Sequence, residues 1–303
     1  MTKSACTFVL LAFVALGTIG SALAGQPATP SVQGSSKTLL WKVTSSHRTL
    51  FLAGEVSVLS SKDYPLPDAM TRAFSQSKEL VTEGGTDAQD PAQVQQLIRK
   101  LGVLPPDKSL SSLLTDDQLT NVKQAATAFT LPFGNITHLQ PWLACLVLSK
   151  AANAKYGIDP KQQLGPYLYA KAEQQQMRVS AFESFPNQLK TFAAIPAKKQ
   201  ATWLSMVAKE LVKLPDTKAT IVRAWRTGDT VQLARMSHQR FAGHPKIYKL
   251  LVADRNKRWA KALNKLLVTD GDPAFVVVGT GHLFGPSNLL ELLRADGFTV
   301  TQL

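Results

Sequence analysis

Cysteine is almost absent: the 303-residue chain has only Cys6 and Cys145. Cys6 falls in a segment expected to be removed, so no intramolecular disulfide is available and a disulfide-stapled scaffold is excluded. Cys145 sits in an apolar helical run, residues 141–148, with no base or charge beside it, and is expected to pack rather than react. Long apolar runs are missing as well. The apolar stretch 8–15 is short and its surroundings are broken by Gly and Ser, which disfavours a membrane span. There is no Walker A loop, no His-Glu-x-x-His and no Gly-x-Ser-x-Gly around Ser57. Gly279-x-Gly281-x-x-x-Gly285 is one residue too long for the dinucleotide fingerprint, and too little chain follows it for a Rossmann unit. Acidic residues are scarce in one region, with 17 Lys/Arg against four Asp/Glu in residues 189–265, within a chain of net charge +13. Such a stretch is either a solvated helix surface or a face for anionic partners, namely acidic glycans or the headgroups of a membrane surface. No zinc-finger or RNP signature accompanies it, so nucleic acid is not expected as a partner.

What is present begins with an export signal. Lys3 supplies the positive region, residues 8–15 the apolar region, and Ala22-Leu23-Ala24 a small-residue cleavage site. The expected organisation is a signal peptide over 1–24, a flexible Pro/Ser/Gly-rich leader over 25–37 and a single domain over 38–303. After cleavage near Ala24 the product would be periplasmic or secreted. About 280 residues, rich in apolar side chains, suffice for a full core.

Strand-like runs fall at 38–43, 49–53, 79–82, 178–182, 274–279 and 298–302, the first two flanking a hairpin turn that contains His47. Helical blocks from 91 to about 156 and from 188 to 267 interrupt them, and Ile247, Leu251, Trp259, Leu263 and Leu266 share one helical face. The predicted fold is α/β (mixed α+β): a central mixed sheet with strand–Gly-x-x-x loops at one edge and two large helical insertions.

One internal echo points to a site. Leu50-Phe51-Leu52-Ala53-Gly54-Glu55-Val56-Ser57 and Val276-Val277-Val278-Gly279-Thr280-Gly281-His282 each run an apolar strand into glycine, with a polar side chain three residues later. Glycine there is expected to permit a sharp turn. The polar side chain would then project beyond the strand's carboxyl end, where ligands bind in α/β sheets.

These segments, with Leu40-Trp41-Lys42-Val43, Glu79-Leu80-Val81-Thr82-Glu83, Gly157-Ile158-Asp159, Ala181-Phe182-Glu183, Gln188 and Arg255-Asn256, resemble the TraB/GumN (Tiki-like) family over essentially the whole mature length. The resemblance implies a metal-dependent hydrolase or protease in which two histidines and acidic residues cooperate. The chain departs from that pattern at Ser57, where the family has histidine. Serine is a poor partner for a transition metal beside imidazole and carboxylate, and a catalytic zinc normally takes three protein ligands plus water. Glu83 and His282 supply two, so Glu55 would have to turn inward as the third ligand of any divalent ion, against the alternation along the strand end.

The expected site is therefore Glu83, His282 and Arg255, with Gly54, Glu55, Ser57, Asn256, Gly279 and Gly281 as motif positions. His282 could bind metal or act as a general base. Glu83 could bind metal or take a proton; Glu183 shares its strand-end setting. Arg255 belongs either to the basic surface or to a clamp on a carboxylate of substrate or site. His138, His238 and His244 show no metal-like spacing. Two functions follow: a hydrolase degenerate at Ser57, or a non-catalytic periplasmic binding protein for a peptide or acidic polysaccharide.

Overall fold

The computed structural model describes residues 37–84 and 91–303. The expected signal peptide, Cys6 and all but the end of the expected leader lie outside the described residues. Six strands form one mixed sheet: β1 (Leu40–Thr44), β2 (Thr49–Glu55), β3 (Glu79–Gly84), β4 (Arg178–Glu183), β5 (Ala274–Gly279) and β6 (Thr299–Gln302), in the order β4-β3-β5-β2-β1-β6. β4, β3, β5 and β2 are mutually parallel, while β1 runs antiparallel to both neighbours. Their composition explains the placement. β5 reads Ala-Phe-Val-Val-Val-Gly and is buried at every position, as a central parallel strand covered on both faces must be. β6 alternates exposed and half-buried residues, which suits an edge.

The hairpin β1–β2 turns at residues 45–48 and pairs Leu40 with Ala53. At its end Arg48 is buried and bonds Glu79 Oε2 at 2.7 Å, tying the turn to β3. Between β3 and β4, helices including Pro91–Gly102, Asp116–Ala128, Pro141–Lys155 and Leu164–Gln174 form the first insertion. Between β4 and β5, Phe185–Ala193, Ala197–Val212, Leu214–Arg226, Thr230–Arg240 and Asp254–Leu267 form the second. One hydrophobic cluster surrounds the sheet; another, around Trp142, Cys145 and Trp203, lies among the helices. Cys145 is fully buried there, and burial pushes its thiol up to about 12, the packing role expected of it.

The last long helix differs from a simple 3.6-residue repeat. Pro245–Tyr248 passes into a π-helical stretch, Lys249–Ala253, before Asp254–Leu267 begins. Such wide turns shift the helical phase and often mark functional positions. Here the shift falls immediately before Arg255 and Asn256. Ile247, Leu251, Trp259 and Leu263 are buried as expected, and Leu266 is half-buried.

Candidate functional site

The two echoed segments lie side by side. β2 and β5 are adjacent and parallel, with Gly54 opposite Val278 and Glu55 opposite Gly279, so the two glycines stand one residue out of register. Neither glycine is there for a left-handed turn, contrary to the expectation: positive φ among the glycines is confined to Gly157, Gly228, Gly243, Gly285 and Gly297 in the described residues. Gly54 is small because it is crowded. A Cβ there would stand 2.5 Å from Leu39 Cδ2 and 2.9 Å from Leu283 Cδ1.

The carboxyl ends of the four parallel strands gather the chemistry. β4 ends on Glu183, β3 on Glu83-Gly84, β5 on Gly279 and β2 on Glu55. A 3-10 turn, Thr280–His282, then carries His282 back over the strand ends, and Thr280 Oγ1 donates to the Glu55 carbonyl at 2.8 Å, stitching β5 to β2.

Arg255 is the hub. Its side chain is 1% exposed, which removes it from the basic surface. Nη2 lies 3.3 Å from Glu83 Oε2 and 3.3 Å from Glu183 Oε2, and Nη1 lies 3.3 Å from His282 Nε2. Glu83 Oε1 accepts the backbone N–H of Gly279 at 2.5 Å. Asn256 fixes the imidazole from the other side. Its Nδ2 donates to the carbonyls of Ser287 and His282, so its Oδ1 is the atom that accepts from His282 Nδ1, at 2.6 Å. That arrangement puts the proton on Nδ1 and turns the Nε2 lone pair toward the Arg255 guanidinium. Beneath both lies Trp259, whose ring stands 4.4 Å from the guanidinium carbon and 4.4 Å from the imidazole centroid, and which stacks on Phe182.

Burial dominates the electrostatics. Burial and then the neighbouring Arg255 hold His282 well below the usual imidazole range, so it is neutral. Burial raises Glu83, with Arg255 and the Gly279 N–H pulling the other way. Glu55 is pushed up to about 8 by burial; the Gly165 N–H, donating to Oε1 at 3.1 Å, partly offsets this, and Glu83 adds to it. Glu55 Oε2 has no hydrogen-bond partner. Glu55 is thus inside the protein, although alternation along β2 pointed the other way. β2 is buried on both faces, so alternation carries no information there. Ser57 is buried just past the same strand end.

The expected ligand set, Glu83, His282 and Glu55, does not fit a divalent cation as arranged. With Nδ1 committed to Asn256, a metal on His282 would use Nε2, the atom that faces Arg255 Nη1. Among the described residues no group of three or more His, Cys, Asp or Glu is placed to hold a metal ion. The guanidinium stands where that cation would have to stand.

Beside this network opens a cleft of 480 Å³, lined by Phe182, Glu183, Ser184, Asn187, Thr191, Ala194, Ile195, Leu250, Asp254 and Arg258. Arg258 Nη2 donates to Glu183 Oε1 at 3.1 Å, so Glu183 links the cleft to the buried hub. Glu183 holds the strand-end position expected of it, and Trp259, expected as core, also packs under the Arg255 guanidinium and the His282 ring. Gln188 is buried against Gly84, near the end of β3. His47 is exposed in its turn and bonds Asp270 at 3.0 Å.

The family model described as the TraB/PrgY/gumN family matches residues 39–302. An uncharacterized protein of Treponema pallidum is 22% identical, covering 95% of this chain and 89% of its own. The uncharacterized protein YbaP of Escherichia coli is also 22% identical, over 82% of this chain and 89% of its own, as is its Shigella flexneri counterpart. No solved structure gives a significant match.

Proposed function

The chain belongs to the TraB/PrgY/gumN family, and from that premise we propose that it is an exported binding protein built on a disabled hydrolase-type site, with a peptide as ligand. The observation that carries this reading is the position of Arg255 Nη1, 3.3 Å from His282 Nε2 inside a fully buried network. An imidazole with Nδ1–H on Asn256 and Nε2 on a guanidinium has both nitrogens engaged, and it neither abstracts a proton nor ligates a metal in that state. Ser57, where the resemblance calls for a second histidine, fits the same loss of function.

The cleft next to Glu183 is the ligand site. Asn187, Ser184 and Thr191 offer hydrogen bonds of the kind that amides use, and Ile195, Leu250 and Phe182 offer apolar contact. Two acids, Glu183 and Asp254, stand against one base, Arg258, which suits a peptide better than an acidic polysaccharide. Export rests on the N-terminal Lys3, the apolar residues 8–15 and Ala22-Leu23-Ala24.

A second reading keeps catalysis. The buried, unpartnered Glu55 Oε2 is a carboxyl oxygen with capacity to spare near Glu83, and a rearranged Arg255 with loss of the Glu55 proton would let Glu55, Glu83 and His282 hold a divalent ion acting as Lewis acid on a peptide carbonyl.

One experiment separates them. The mature protein is mixed with an unstructured casein peptide, and saturable binding and cleavage are both followed. Binding without cleavage, lost on Ala194→Trp, which fills the cleft, is the expected outcome. Cleavage that His282→Ala abolishes would establish the hydrolase instead.

A further inference from the structure

Independently of that cleft, the geometry points to a second binding site, a groove of 670 Å³ between the 3-10 turn Ser61–Asp63 and the helix Leu214–Arg226, that takes a phosphate-bearing ligand. Four cationic side chains line it, Lys62, Lys218, Arg223 and Arg226, against one acid, Asp63.

That acid is already committed. Asp63 Oδ2 accepts from Ser60 N and from Ser60 Oγ, each at 2.7 Å, closing the turn on itself. Arg226 Nη1 donates to the carbonyls of Asp63 at 2.7 Å and Pro65 at 3.4 Å. Those bonds fix the guanidinium at the groove wall and leave its charge uncompensated, because carbonyl oxygens carry no formal charge. Among the described residues none of the four cations takes part in a salt bridge.

On the helix, Lys218, Val222 and Arg226 follow one another at i, i+4 and i+8, with Arg223 alongside, so the charges form one stripe. The acid of this helix, Asp216, is not in the groove's lining; burial and then Asp216 raise the Tyr156 hydroxyl. Like charges unpaired along one stripe cost a helix stability. An anion that bridges them would reverse that cost.

The lining also selects the ligand's chemistry. It includes no aromatic ring, so neither nucleobases nor sugar faces have a platform to stack on. What remains is a concave floor, partly Ala219 and Val222, ringed by two guanidinium forks and two ammonium groups. Guanidinium forks match phosphate oxygens two at a time. A soluble phosphate compound and a phospholipid headgroup share that chemistry.

The test is calorimetric titration of the full mature chain with inorganic pyrophosphate, alongside co-sedimentation with phosphatidylcholine vesicles with and without phosphatidylglycerol. Lys218→Glu/Arg223→Glu reverses the groove. Lys257→Glu/Lys261→Glu makes the same change of charge at exposed positions of another helix, and circular dichroism checks that both variants fold. The expected result is saturable binding weakened about tenfold or more by the groove variant and by much less in the control. Pyrophosphate binding would identify a soluble phosphate as the source; binding to phosphatidylglycerol vesicles alone would identify the headgroup. Equal losses in both variants would reduce the effect to net charge and overturn the site. No saturable binding to either probe would overturn it too.

Discussion

Arg255 Nη1 and His282 Nε2 lie 3.3 Å apart with both side chains buried, so the one imidazole nitrogen without a proton faces a permanent cation. The two residues come from different elements: Arg255 from the helix that follows the π-turn, His282 from the 3-10 turn after β5. Their meeting joins the strand-end carboxylates to the second helical insertion.

Removing the hub should be costly. Arg255→Ala leaves Glu83 buried without its counter-charge, while Glu183 keeps Arg258, and loss of one partner of a buried pair typically costs about 3–5 kcal/mol. Urea denaturation should show a loss of that order. Arg255→Lys should recover only part of it, because an ammonium cannot span His282, Glu83 and Glu183 as the fork does.

His282 should remain neutral well into mildly acidic solution. Its pKa is depressed in the folded state, so the unfolded chain takes up a proton first as pH falls below about 6.5. The stability that depends on neutral His282 is therefore complete above that pH and declines as pH falls. Nitrogen-15 NMR should find Nδ1 protonated and Nε2 bare at pH 6. A doubly protonated ring at that pH would refute the assigned tautomer.

Glu55 should act in the opposite sense. Its carboxyl is raised to about 8, so the folded protein holds a proton that the unfolded chain releases near 4.5. That contribution is full below 4.5 and is lost as pH rises through 8. Glu55→Gln, which imitates the protonated form, should match the wild type near pH 4.5. At pH 9 it should exceed wild type by up to about 5 kcal/mol, as read by urea midpoints. An equal difference at both pH values would place Glu55 outside the buried site.

Gly54→Ala tests the crowding at the first echoed segment. The added methyl would meet Leu39 and Leu283 inside normal contact distance, and overpacking of a tight core costs about 1–3 kcal/mol. Thermal unfolding should show a clear loss. A neutral effect would mean that the leucine side chains shift without strain.

Much of this architecture was legible beforehand. β5 runs over the expected residues, and the β1–β2 hairpin closes at the expected turn, because β-branched runs bounded by turn residues leave few other options. The two insertions followed from helical periodicity. Glu83, His282, Arg255 and Asn256 could be named as candidates, but their mutual contacts could not, since Glu83 and Arg255 are 172 positions apart. The π-turn left no periodic signature that a repeat of apolar residues would expose. Alternation failed at Glu55 because a strand buried on both faces has no solvent side. At Gly54 a turn conformation was expected, whereas the structure shows close approach by Leu39 and Leu283.

The central claim, that this strand-end site is closed to a divalent metal by Arg255 and short of one ligand at Ser57, is tested most directly by measuring zinc, manganese and cobalt binding to the purified protein and to Ser57→His. The account predicts that the wild type binds none of them with stoichiometric affinity and that Ser57→His, which leaves Arg255 between His282 and Glu83, binds none either. One ion bound by the wild type, and lost on His282→Ala, would contradict it.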